Sequence, residues 1–125
     1  MTVYADTHAV VWLGQGEPEK LGAAARKAIE ENDLLVSPAV VLELEFLHEI
    51  GRLRTTASKL IATLVDEVGL RVCELSFRTI VQFAVKENWG RDPFDRLIVA
   101  HAKAAEAPLV TKDKKMHDHY TRAVW

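Results

Sequence analysis

The stretch RDPFDRLIVAHAKAAEAPLVTKD, Arg91 to Asp113, decides how the chain folds. Asp92-Pro93 reads as a helix N-cap followed by a first-turn proline, whose missing N–H costs nothing at that position. The apolar, alanine-rich run behind it is helical, and Pro108 ends it. Leu109-Val110-Thr111 then reads as a short strand, with Asp113 immediately beyond its carboxyl end. A helix feeding directly into a strand is half of a crossover unit, the connection that parallel strands require. In the first turn of this helix, Asp95 falls at the third helical position. Two readings stay open here: Asp92 and Asp95 form a variant capping box at the positive end of the helix dipole, or Asp95 belongs to a carboxylate cluster completed elsewhere.

The remainder of the chain repeats the alternation. Thr2 to Ala5 is β-prone, and the apolar run HAVVWL beyond Asp6-Thr7 is helical. Thr7 is the expected cap, which leaves Asp6 at the carboxyl end of the first strand, the edge where open α/β sheets place ligands. Gly14-Gln15-Gly16 is not a dinucleotide loop, because it follows a helix and Glu19 stands where the third glycine belongs. A helix is expected over Glu19 to Glu30, with Leu21, Ala24, Ala25, Ala28 and Ile29 at helical spacing. Leu34 to Val36 is a second strand, and Ser37-Pro38 opens a helix to about Ile50, closed by Gly51. In that helix Ala39, Val40, Glu43, Phe46, Leu47 and Ile50 share one face, so Glu43 interrupts an apolar stripe. A carboxylate there is costly unless it is paired, binds a cation or reaches water at the stripe's edge. Ala57, Leu60, Ile61, Leu64, Val65 and Val68 form another helical stripe before a strand at Leu70 to Leu75. Ser76 caps a helix with Phe77, Ile80, Val81 and Ala84 inward. Lys114 to Trp125 reads as a short helix and a terminal strand, AVW.

Composition bounds the answer. With 125 residues, 49% hydrophobic and 27% charged, the chain is expected to form one globular domain, residues 1–125. No apolar run reaches membrane-spanning length, and MTVYADTHAVVWL carries an acid and no basic leader, so a cytoplasmic location without a membrane partner is expected. The single cysteine, Cys73, reads as a small buried side chain. A net charge of −2 argues against a chain-wide basic surface. Locally, however, Lys112, Lys114, Lys115 and Arg122 crowd the C-terminal region, either as a solvated face or as a backbone contact for nucleic acid. His117 and His119 stand two apart and would diverge on a helix, which makes them a poor metal site.

Strands alternating with helices imply an α/β fold, a three-layer α/β/α sandwich around a central parallel sheet of four or five short strands. Right-handed crossovers place the strand ends on one rim, where Asp6, Glu43, Asp95 and Asp113 can converge. Four clustered carboxylates raise one another's pKa values unless cations neutralise them. Oxygen ligands alone suit a hard ion, Mg²⁺ or Mn²⁺, and such an ion suits phosphate chemistry. Lysines near Asp113 would then hold a nucleic-acid backbone beside an otherwise repulsive centre.

ADTHAVVWL, SPAVVLELEFLHEIGRL, RDPFDRLIVAHA and LVTKD together resemble the PIN-domain ribonucleases, in particular the VapC toxins of type II toxin–antitoxin (VapBC) systems. The resemblance spans the chain. It implies a PIN-like fold and a Mg²⁺- or Mn²⁺-dependent endoribonuclease that cuts structured RNA, tRNA or rRNA, to inhibit translation. It also implies one or two ions held by Asp6, Glu43, Asp95 and Asp113, a cognate VapB-type antitoxin and a homodimer. Asp92 matches a further acid, divided between helix cap and support of the ligands, while Thr7 and Thr111 match hydroxyls near the metal. Lys112, Lys114, Lys115 and Arg96 are the basic residues expected at the RNA. LELEFL departs from the aromatic residue that many relatives carry before the glutamate, and Lys112 separates Thr111 from Asp113. Both bear on substrate preference. The rival readings are a catalytically inactive PIN-like module that only binds a partner, against which the four retained acids speak, and a receiver domain. The receiver reading fails because Ser37-Pro38, not an acid, follows the second strand.

Overall fold

A computed structural model describes every residue from Met1 to Trp125. Its five strands are β1 (Thr2–Ala5), β2 (Asp33–Val36), β3 (Arg71–Val72), β4 (Leu109–Val110) and β5 (Ala123–Val124). All pair in parallel, in the order β3-β2-β1-β4-β5. The helices are α1 (Thr7–Gly14), α2 (Ala23–Glu31), α3 (Pro38–Glu49), α4 (Ala57–Val68), α5 (Phe77–Ala84), α6 (Pro93–Ala104) and α7 (Lys114–His119). The expected α/β sandwich is therefore present, with the upper of the two strand counts.

The central strand β1 has Val3, Tyr4 and Ala5 buried, as a strand covered on both faces must. Tyr4 lies beside His101 of α6, with ring centroids 6.3 Å apart, and donates a hydrogen bond to Cys73 Sγ at 3.0 Å. Cys73 is thus a buried packing residue, as expected. Helix α1 approaches α4 so closely that a Cβ on Gly14 would collide with the Leu60 side chain. Helix α5 packs on α6, and the turn between them is pinned by buried Glu87. Its carboxylate pairs with Lys103 Nζ at 2.5 Å and accepts a hydrogen bond from Trp89 Nε1 at 2.5 Å.

Several local expectations shift. The helix expected over Glu19 to Glu30 is split: Pro18–Lys20 forms a 3-10 turn and α2 begins only at Ala23, because Gly22 is extended and Leu21 turns inward to the core. The strand expected over Leu70 to Leu75 shrinks to Arg71–Val72, since only these pair with Leu35 and Val36. Cys73 adds one further ladder bond, from its N–H to Val36 O at 2.8 Å. Helix α6 ends at Ala104, ahead of Pro108, through Glu106 in the left-handed region at φ 51°. On α3 the buried line runs through Val40 and Leu44, with Leu47 packed beside it, whereas Phe46 and Ile50 are exposed. Glu43 therefore flanks the buried line and does not cut through it. Phe77, expected inward at the first position of α5, is 69% exposed. On α4, Val65 and Val68 also face outward. A helix face reads as apolar from its own period, but it is buried only where a neighbour lies.

Candidate metal centre at the sheet rim

Four elements deliver the acids. Asp6 ends β1 and caps α1, with Oδ1 accepting from the Ala9 N–H at 3.0 Å. Asp6, not Thr7, is thus the cap, and Thr7 becomes the first helical residue. That frees the Thr7 hydroxyl to donate to Glu43 Oε1 from α3. Asp113, beyond β4, caps α7 by accepting from the Met116 N–H at 3.1 Å. Thr111, fully buried, joins the two strand-end acids. Its hydroxyl accepts from the Asp113 N–H at 3.0 Å and donates to Asp6 Oδ2 at 2.5 Å. Such a relay polarises each bond in it and aims the Asp6 carboxylate, while the Met116 N–H holds that of Asp113.

Asp92 and Asp95 come from the start of α6. Asp92 is exposed and caps it, with Oδ1 accepting from the N–H groups of Phe94 at 2.8 Å and Asp95 at 3.4 Å. Asp95 is half-buried, and alone among the four principal acids its carboxylate accepts no hydrogen bond from the protein. Asp6, Thr7, His8, Glu43, Asp92, Asp95, Ile98, Asp113 and Met116 line one cleft of about 160 Å³. His8 is its only basic lining residue. No Lys or Arg reaches in.

The electrostatics follow from that imbalance. Asp95 is pushed up to about 7, first by burial and then by the charges of Asp92, Asp113, Glu43 and Asp6. Asp6 is raised by its burial, against the opposing pull of the Thr111 and Ala9 hydrogen bonds. Glu43 is raised by burial, with the Thr7 hydrogen bond pulling down and Asp92 pushing up. An all-oxygen donor set, short of positive charge, fits a hard divalent cation. In this structure no three His, Cys, Asp or Glu side chains stand close enough together to hold one ion between them, so an ion here would bind through one or two carboxylates and keep most of its waters.

The basic residues separate. Lys112, Lys114 and Lys115 are exposed beside Asp113; Lys114 pairs with Asp118 at 3.2 Å on α7. Arg96, grouped with them by sequence, lies outside the cleft lining. Its guanidinium donates to the carbonyl of Ala84, from Nε at 3.3 Å and Nη2 at 3.1 Å, and ties α6 to the end of α5. The two C-terminal histidines diverge as expected. His117 Nε2 lies 2.6 Å from the Thr111 carbonyl, which can only accept, so that nitrogen carries the proton. His119 stacks on Trp89, with centroids 5.0 Å apart and planes 7° from parallel. Sequence reasoning missed His8. Its signal was its place in the first turn of the helix that Asp6 caps.

The chain is similar to known proteins along most of its length. The pattern of the PIN domain family matches residues 3–121. Ribonuclease VapC22 of Mycobacterium tuberculosis (strain ATCC 25618 / H37Rv) is 33% identical over 124 residues, covering 94% of this chain and 92% of that protein. Among solved structures, VapBC2 from Rickettsia felis, bound to a DNA fragment from its promoter, superposes with a TM-score of 0.68 at 17% identity, covering 94% and 92% of the two chains. Mycobacterium tuberculosis VapC20, described as a sarcin-ricin loop cleaving toxin, superposes with a TM-score of 0.63 at 16% identity, covering 94% of each. At those identities the structures speak for the fold alone.

Proposed function

This chain belongs to the PIN domain family, in its VapC branch, and from that premise we propose that it is a divalent-metal-dependent endoribonuclease toxin. The substrate is structured RNA, tRNA or rRNA, and cleavage inhibits translation in the cytoplasm. A VapB-type antitoxin neutralises it. The observation that carries this reading is the convergence of Asp6, Glu43, Asp95 and Asp113 from four elements on a cleft whose only basic lining residue is His8.

In this reading Asp6, Glu43, Asp95 and Asp113 hold one or two Mg²⁺ or Mn²⁺ ions. Such an ion supplies Lewis acidity to a phosphate and to water at neutral pH. The chain's own residues do the positioning. Thr111 and the Ala9 N–H orient Asp6, the Thr7 hydroxyl orients Glu43, and the α7 N-terminus orients Asp113. Asp95, raised to about 7, would have to be ionised to hold a cation, so metal affinity is expected to fall below that pH. Asp92 caps α6 and adds negative charge beside Asp95. Lys112, Lys114 and Lys115 counter the repulsion between the acids and a phosphate backbone.

Leu42 and Phe46 of α3, Ile50 at its C-terminal cap and Phe77 of α5 are 45% to 69% exposed. So much exposed apolar surface supports a partner on this side, and a second copy is the partner proposed. No helix is long and apolar enough to cross a membrane.

The decisive experiment incubates purified protein with tRNA and rRNA in Mg²⁺ or Mn²⁺, with and without chelator, beside Asp6→Asn and Asp95→Asn. Cleavage by the wild type alone, abolished by chelator, is expected. Equal cleavage by all three proteins overturns the reading.

A further inference from the structure

One flank of the cleft is aromatic. His8 and Trp12 are four residues apart on α1 and therefore share a face, with ring centroids 6.0 Å apart. His8 lines the acids; Trp12 lies one turn beyond. Trp125, at the other end of the chain, meets Trp12 edge-on, with centroids 5.6 Å apart and planes at 62°. Gly22 allows this closure, because a Cβ there would fall 2.5 Å from the Trp125 carbonyl carbon. Above the Trp12 ring stands Lys112 Nζ, 5.9 Å from its centroid, on the residue between Thr111 and Asp113. Core packing accounts for the apolar contacts of the two half-buried tryptophans. It does not account for a cation over the Trp12 ring or an exposed imidazole between that ring and the acids.

We propose that His8, Trp12, Trp125 and Lys112 form a stacking platform for an unpaired nucleobase of RNA, adjoining the phosphate presented to the acidic cleft. The proposal rests on the ribonuclease reading and specifies which part of an RNA the site takes. Unstacked bases bind proteins by stacking on aromatic rings, and a neighbouring cation meets the backbone charge. Every base has a π face, so the platform selects single-stranded over duplex RNA and not one base over another. The cleft itself repels phosphate, which makes the neighbouring base a natural source of affinity. A cation over the ring beside the acids favours an anionic polymer here over a protein partner.

The test measures binding of a labelled single-stranded oligoribonucleotide, and of the same strand annealed to its complement, to the Asp95→Asn protein in Mg²⁺. Trp12→Leu, Trp12→Phe and Lys112→Ala are introduced into that background. Trp12→Leu keeps apolar contact with the core and removes the ring. Its affinity for the single strand is expected to fall about ten-fold, the size of one base stack, with recovery in Trp12→Phe and a smaller change for duplex. Lys112→Ala, at an exposed position that cannot unfold the protein, is expected to weaken binding and reduce its salt dependence. In the wild-type background, Mn²⁺ binding by calorimetry is expected to be the same with Trp12 or Leu. Single-strand binding that is undetectable in the Asp95→Asn protein, or that changes by less than about two-fold in Trp12→Leu, overturns the platform whatever Lys112→Ala does, and leaves that flank to protein contacts. The two readings fail separately. Wild-type cleavage with an unchanged kcat/KM in Trp12→Leu removes the platform alone, whereas weakened binding in a wild type that cuts no RNA removes the activity alone.

Discussion

The acidic cleft has two halves built on different principles. The strand half, Asp6 and Asp113 joined through Thr111, is fixed by protein donors at both carboxylates. The helix half, Glu43, Asp92 and Asp95, leaves Asp95 with no donor and four like charges around it. The first half is positioned by the protein's own donors. The second carries repulsion that a bound cation would relieve. One cleft can therefore be rigid on one side and electrostatically unbalanced on the other.

The largest test of that contrast is Asp95→Asn against Asp6→Asn. Both are expected to lower metal-dependent RNA cleavage by more than about 100-fold, since even groups behind the ligands are worth about 10–100-fold in metal sites. Only Asp95→Asn is expected to raise the thermal midpoint of the metal-free protein, because it removes an unpaired, repelled charge. Asn at position 6 would instead set an amide against the donors Thr111 and Ala9. If both variants shift the midpoint alike, the two halves do not differ.

Next in size is Thr111→Val, which keeps the buried shape but removes the relay. A cost of about 1–3 kcal/mol is expected from the donor lost to a buried carboxylate, read by chemical denaturation, together with weaker Mn²⁺ binding by calorimetry. An unchanged Mn²⁺ affinity would show that Asp6 needs no aiming.

The third test varies pH. Asp95 in the folded protein, at about 7, lies above its ordinary value of 3.8, and Asp6 and Glu43 are raised as well. The folded state therefore binds more protons than the unfolded one between those limits. Stability from these groups is full below about pH 4 and is lost as pH rises through about 7. In chelator, the melting temperature is expected to be lower at pH 8 than at pH 5, by a margin that solvent screening of the half-buried Asp95 holds to about a few degrees. Saturating Mn²⁺, which binds the ionised acids, is expected to diminish or reverse that slope. A melting temperature in chelator that climbs over this range contradicts the assignment.

The smallest effect is expected from Asp92→Ser. Serine caps a helix about as well as aspartate, so stability should change by less than about 0.5 kcal/mol. If capping is its main role, cleavage should fall by less than the roughly 10-fold that marks a group supporting a ligand. A larger loss would move Asp92 from cap to metal support.

What the sequence determined was everything carried by local chemistry and period. Ser37-Pro38 and Asp92-Pro93 open helices as their types require, Gly69 closes α4 in the left-handed conformation at φ 68°, and alternating elements force parallel pairing with strand ends on one rim. Those rules reach only a few residues along the chain, yet they were enough to bring four acids to one edge. The tertiary structure alone decided how adjacent candidates divided their roles. Asp6 took the cap and Thr7 the bond to Glu43 because α3 lies across from Thr7. Phe77 faces out because no element covers it, Phe46 stays 45% exposed with the Phe94 ring edge-on against it at 5.5 Å, and Arg96 turns to the end of α5 because the Ala84 carbonyl lies within its reach. His8, Trp12, Lys112 and Trp125 met although the chain separates them by up to 117 positions. Burial and hydrogen-bond satisfaction are properties of what lies opposite a side chain, and no local pattern specifies that.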